Sequence, residues 1–168
     1  MTPEKFIQTY YPFALNVEKK TGISAIAILA QSALESGWGE KAVGNMMFGI
    51  KDTDGINGNE QLITTTEFSK SASLKFPVII SIKKQLNGLY KYIVKDYFRK
   101  YNTPEDSFLD HANFFLKNKR YAKALLVRSN TMLFIEEIAK AGYATDPNYS
   151  VALKGVATSI LKRIKIKS

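Results

Sequence analysis

The chain contains no cysteine, which excludes a disulfide framework and any thiolate-bound metal. Its single histidine, His111, leaves no cluster of imidazole ligands, so neither metal nor cofactor is expected. No stretch approaches the roughly 18 apolar residues that a membrane-spanning helix needs. Met1-Thr2-Pro3-Glu4-Lys5 is not a basic segment leading into an apolar one, so the chain as given is expected to carry no signal peptide and to make no integral contact with a membrane. Interleaved basic and aromatic residues of the kind that grip nucleic acid are missing too, and no nucleic-acid partner is expected. Stability and chemistry must therefore come from packing and carboxylates.

What is present is enough for one core: 168 residues, 45% of them hydrophobic, predict a single domain spanning 1–168. The formal charge of +9 is unevenly spread. Residues 1–70 carry 6 Lys/Arg against 8 Asp/Glu, and residues 71–168 carry 18 against 7. The cationic second part is attracted to any polyanion, including nucleic acid, anionic lipid and the carboxylate- and phosphate-bearing polymers of bacterial envelopes, and charge alone does not choose among them.

Local chemistry predicts a mainly helical chain. Thr2 caps a helix opened by Pro3, Phe6, Tyr10, Phe13 and Val17 recur at helical spacing, Pro12 should kink it, and Thr21-Gly22 stops it. Ser24 caps a second helix, Ala25 to about Glu35, in which every residue before Gln31 is apolar; such a helix is buried. From Ser36 to about Lys70 glycines break the chain, and Leu62–Phe68 reads as a β-branched strand in a small β-hairpin lobe. Between Ser69 and Lys95, Phe76–Ile80 fits a strand and Ile82–Tyr97 fits a helix, and the type stays open. Thr103-Pro104-Glu105-Asp106 starts a further helix with Phe108, Ala112, Phe115 and Leu116 inside; Asn130 or Ser129 caps the next, and Asp146-Pro147 opens the last.

Ala33-Leu34-Glu35-Ser36-Gly37-Trp38-Gly39 sets a carboxylate at the end of the wholly apolar helix and follows it with a glycine-flanked tryptophan. Burial and the partial negative charge of a helix C-terminus both favour the protonated carboxyl. A glutamic acid kept protonated near neutral pH is what breaking a glycosidic bond requires, because the departing sugar oxygen must receive a proton. On spacing alone Glu35 also reads as a surface residue at a helix end, and Trp38 as a core plug. His111, one position from the inner stripe of its helix, reads as a satisfied or surface histidine.

The segment Ala30-Gln31-Ser32-Ala33-Leu34-Glu35-Ser36-Gly37-Trp38-Gly39 resembles the corresponding segment of glycoside hydrolase family 73, the bacterial and phage N-acetylglucosaminidases that include the flagellar muralytic proteins. The resemblance continues in order through Asn45–Lys51, Thr65-Thr66-Glu67, Phe98–Tyr101 and Gly142–Tyr149. It implies a lysozyme-like, mainly α (α+β) fold, a helical body with a small β lobe forming a substrate cleft. It further implies Glu35 as general acid, Glu67 as the second carboxylate and Tyr143 as a substrate-contacting or catalytic phenol. Trp38, Asn45 and Phe48 are the expected substrate-binding residues, with core packing as the other reading of the two aromatics. Arg99 and Tyr101 are expected to be structural, and Asp146 to be a helix cap. The interval from Glu67 to Phe98 is longer than the family's, which predicts an insertion near 69–89.

The implied activity is hydrolysis of the bond between N-acetylglucosamine and N-acetylmuramic acid in peptidoglycan by a monomer acting on the bacterial cell wall, as a phage-released lysin, a virion-associated protein or a mature domain. A muramidase or lytic transglycosylase on the same glycan is the alternative among enzymes, and a non-catalytic wall-binding or virion structural protein the alternative outside them.

Overall fold

The computed structural model describes residues 1–167, with side chains through Lys165. It divides into two compact units, one formed by residues 1–48 and 101–168 and the other by residues 49–100, which is inserted in the chain of the first.

The first unit is helical and is organised around α2 (Ala25–Ser36). Every residue from Ala25 to Ala33 is buried. Ile28 and Leu29 are fully inaccessible, and each such burial contributes about 1.5–3 kcal/mol. The helix packs against α1 (Pro3–Thr21), α5 (Thr131–Lys140) and α6 (Tyr149–Lys167), and its alanines allow those neighbours to come close. α3 (Pro104–Lys117) packs on α1, and the short α4 (Ala122–Leu126) leads into α5.

The caps sit where side-chain chemistry places them. Thr2, Ser24 and Asn130 accept from the backbone N–H three residues on, and Thr103 and Asp106 form a reciprocal capping box. The Ser24 and Thr131 hydroxyls hydrogen-bond at 2.6 Å, tying the start of α2 to the start of α5. α1 runs unbroken through Pro12 to a left-handed cap at Gly22. Asp146 does not open α6 directly. Its carboxylate accepts from the Asn148 N–H at 2.8 Å in the turn before the helix, which begins at Tyr149.

The second unit is a three-stranded antiparallel sheet of β1 (Glu60–Ser69), β2 (Val78–Lys84) and β3 (Tyr90–Arg99), in the order β1-β3-β2. The expected strand at 62–68 is therefore β1, but its partner is β3 rather than the next strand in sequence, and the lobe is larger than one hairpin. The helix that fits Ile82–Tyr97 does not form. Those residues fold back at Gln85–Leu89, where the Gln85 N–H donates to the Leu89 carbonyl at 2.7 Å. Tyr92, Val94 and Phe98, alternating along β3, supply the buried side of the sheet. β2 lies wholly within the interval read as an insertion.

Candidate active site

α2 ends where the chain must turn out of the core. Leu34 and Glu35 are exposed, and the helix closes at Gly37 in the left-handed region (φ 59°), a conformation that spares glycine the usual side-chain clash. Trp38 follows with φ 56° and Gly39 with φ 86°, so three successive residues are left-handed. The turn is held by the Trp38 N–H on the Ala33 carbonyl at 2.8 Å and the Gly39 N–H on the Ser36 hydroxyl at 2.9 Å. A Cβ at Gly39 would lie 3.3 Å from the Phe6 ring, so only glycine fits there comfortably. The half-buried Trp38 meets Phe6 edge-on, with ring centroids 5.5 Å apart.

Glu35 is thus not enclosed as a buried helix end would be; its side chain opens to solvent. Protein nonetheless fills much of the space around it, and this desolvation raises its carboxyl above the ordinary range. Its phenolic neighbours are Tyr143, in the turn after α5, and Tyr149, at the start of α6; their rings are 5.4 Å apart. Burial, with further contributions from Glu35 and Tyr121, pushes both phenols up, Tyr149 adding to the rise at Tyr143 and the Gln31 hydrogen bond opposing it at Tyr149, so both stay protonated at any physiological pH.

Behind these groups lies a buried polar chain. Gln31, one turn before Glu35 on α2 and fully inaccessible, donates from its amide nitrogen to the Tyr149 hydroxyl at 3.2 Å. Its carbonyl oxygen is 3.1 Å from His111 Nε2. His111 is itself buried, and desolvation pushes its pKa down to about 3, so it is neutral. Phe48 stacks on that imidazole with ring centroids 3.8 Å apart.

The helical unit therefore brings together Glu35, Tyr143 and Phe48 with three residues that the sequence does not mark as part of the site, Gln31, His111 and Tyr149, while Trp38, three residues after Glu35, packs on Phe6. Phe48 is only 7% exposed, and one of its faces is taken by His111, so its visible work is packing rather than forming a sugar platform. Asn45, left-handed at φ 55°, spends its amide nitrogen on the Tyr101 and Asn102 carbonyls at 3.0 and 3.2 Å and so pins the backbone ahead of α3. His111 takes the inward place on α3, whereas Leu116, expected inside, is 37% exposed.

Glu67 belongs to the sheet unit. It lies on β1 opposite Tyr92 of β3, and its carboxylate receives the Lys51 ammonium at 2.8 Å. Lys51 also reaches Asp96 at 3.0 Å. Burial disfavours the Lys51 charge, but the hydrogen bonds and charges of Glu67 and Asp96 outweigh it and raise its pKa. Arg99 pairs with Asp52 and Asp54 at 3.7 and 3.6 Å, and the Tyr101 hydroxyl donates to Asp110 at 2.6 Å, both structural roles. Among the described residues there is no group of three or more His, Cys, Asp or Glu that could hold a metal, and no helix is long and apolar enough to cross a membrane.

A lysozyme-like helical body with a small antiparallel sheet, and a glutamate at the end of its central helix, define a class that the comparisons make specific. Residues 11–162 match the model of the glucosaminidase family, described as mannosyl-glycoprotein endo-beta-N-acetylglucosaminidase, and the chain belongs to that family. It is 34% identical over 155 residues to the peptidoglycan hydrolase FlgJ of Vibrio parahaemolyticus, matching 89% of this chain and 44% of that protein, so it spans less than half of that relative. The glycoside hydrolase domain of Salmonella typhimurium FlgJ superposes with a TM-score of 0.75 at 27% identity, covering 99% of this chain and 92% of that domain. The catalytic domain of the Listeria monocytogenes autolysin Auto gives a TM-score of 0.68 at 25% identity, covering 96% and 87%.

Proposed function

We propose that this chain hydrolyses the glycan strands of peptidoglycan, cutting the β-1,4 bond between N-acetylglucosamine and the following N-acetylmuramic acid, with Glu35 as the general acid. The observation that carries this reading is the carboxyl of Glu35, open to solvent yet held above the ordinary range, at the end of a helix whose partial negative charge favours the acid form. Such a group delivers a proton to the departing sugar oxygen, which would otherwise leave as an alkoxide; general acid catalysis of this kind contributes roughly 10²–10⁴-fold.

Positive charge then develops on the sugar left behind, and a second carboxylate or the sugar's own 2-acetamido oxygen meets it. Glu67 is the proposed carboxylate, kept in place by Lys51. Tyr143 offers a hydroxyl that does not ionise, and Trp38 an aromatic face for the apolar side of a pyranose ring. Phe48 and Asn45 support these groups through packing and loop anchoring. The protein is read as a monomer working on the bacterial cell wall, with its basic second part drawn to the anionic envelope.

The bond is identified by borohydride reduction of a digest of defined peptidoglycan, followed by sugar analysis. Reduced N-acetylglucosamine is the expected new end. Reduced muramic acid or an anhydro-muramic product would transfer the same acid to a muramidase or transglycosylase, and no new ends at all would make the chain a wall-binding protein.

A further inference from the structure

We infer that Gln31 is a positioning residue for the site: clamped by His111, it makes the Tyr149 hydroxyl an obligatory outward donor aimed at the Glu35 side of α2. The inference rests on the reading of Glu35 as the acid.

A glutamine amide has one accepting end and one donating end. The Gln31 oxygen faces His111 Nε2, so the neutral imidazole carries its proton on Nε2 and donates it. The Gln31 nitrogen must then donate to Tyr149, whose oxygen accepts. With that lone pair used, the phenol's own hydrogen has to point away from Gln31. Both Gln31 and His111 are cut off from water, so turning any one member alone would leave buried polar atoms facing like partners, and the three keep one common direction, set by the Gln31 oxygen on His111.

Gln31 and Glu35 stand four residues apart on α2, on the same helix face and about 5–6 Å apart at their Cβ atoms. A hydroxyl anchored on Gln31 and turned outward is therefore offered to the neighbourhood of the Glu35 carboxyl. While Glu35 holds its proton the donor costs nothing; once the proton has gone to the leaving oxygen, the donor stabilises the carboxylate that remains. The other groups facing this pair are the Tyr143 and Tyr121 phenols, with Arg120 near Tyr121 and Gly142.

His111 is the only histidine in the chain, so ¹⁵N NMR of the labelled wild-type protein reads its tautomer without ambiguity. A neutral ring protonated on Nε2 is expected. A ring protonated on Nδ1 with bare Nε2 would reverse the chain and overturn the inference, whatever the fate of Glu35. Two neutral variants test the consequence. Tyr149→Phe should raise the Glu35 midpoint, followed by ¹³C NMR of its carboxyl, by about one pH unit, the effect of withdrawing a donor that the ionised carboxylate would take up. Gln31→Met should raise it in the same direction. In the Tyr149→Phe background Gln31→Met should add nothing to either the midpoint or kcat, because Gln31 acts only through Tyr149. Where Gln31→Met does not fold, Gln31→Glu keeps the shape, and its carboxylate turns the phenol inward with the same loss of kcat. An unmoved Glu35 midpoint in Tyr149→Phe, or additive losses in the double variant, would refute the role. A wild-type rate in Glu35→Gln would instead refute the proton donor and leave the tautomer result standing.

Discussion

Lys51 and Glu67 form an ion pair of 2.8 Å across the sheet unit, and the same ammonium holds Asp96 at 3.0 Å, so one cation fixes two carboxylates that would otherwise repel. The Lys51 side chain is 44% exposed, which limits the pair's worth to stability at about 1 kcal/mol or less. Lys51→Met should therefore fold nearly as well as the parent, yet lose turnover, because Glu67 is no longer held in one place. Glu67→Gln should lower kcat by roughly ten- to hundredfold, less than loss of the acid. Thermal unfolding and kcat measured on both variants separate the two effects; unchanged turnover in both would remove Glu67 from the mechanism.

Trp38 is the chain's single tryptophan, is half-buried and follows Glu35 by three residues, so tryptophan fluorescence reads that one turn. Titrating a folded Glu35→Gln protein with peptidoglycan fragments should change the emission in a saturable way, and Trp38→Ala should raise KM more than it lowers kcat. Emission that ignores the glycan would assign Trp38 to packing on Phe6.

His111 is neutral in the fold, with its pKa depressed from 6.5 to about 3. Its contribution to stability is complete above pH 6.5 and is lost as pH falls towards 3, since the unfolded chain takes up the proton first. The expected slope approaches 1.4 kcal/mol per pH unit in that window. Denaturant unfolding at a series of pH values checks this, and His111→Phe should flatten the slope while lowering stability overall, because the Gln31 carbonyl loses its donor.

Charges on the basic second part should make wall binding sensitive to salt, because exposed charges more than about 10 Å apart are largely screened at 0.1 M ionic strength. Sedimentation with peptidoglycan should weaken as salt rises; binding that does not change would leave the attraction to the sugar contacts.

The parts of this account that were legible in the sequence are those decided by neighbouring residues. Thr2, Ser24, Thr103 and Asn130 cap because a short oxygen-bearing side chain meets free N–H groups next to it, and α2 declares its burial by having no polar face before Gln31. The stretch after Ser69 was not legible by periodicity. β2 is an edge strand exposed along most of its length, so Val78, Ile79, Ile80 and Ile82 do not alternate, while Ile82, Leu89, Ile93 and Tyr97 imitate helical spacing. Asn87-Gly88, with Gly88 at φ 83°, is the turn signal that distinguishes the two. His111 and Tyr149 lie 80 and 118 residues from Gln31 in sequence, and only packing reveals that the three form one chain.

Glu35 is the proposed proton donor. Its folded pKa lies above its unfolded one, so stability is lost as pH rises from the unfolded value through the folded one. Glu35→Gln should therefore unfold at the same temperature as the parent or a higher one at pH 7, with the difference vanishing below about pH 4. With folding established in this way, release of new reducing ends from purified peptidoglycan is the decisive measurement. A fall of at least roughly 10²–10⁴-fold is expected in Glu35→Gln; near-parental release by the folded variant would mean that another group gives the proton.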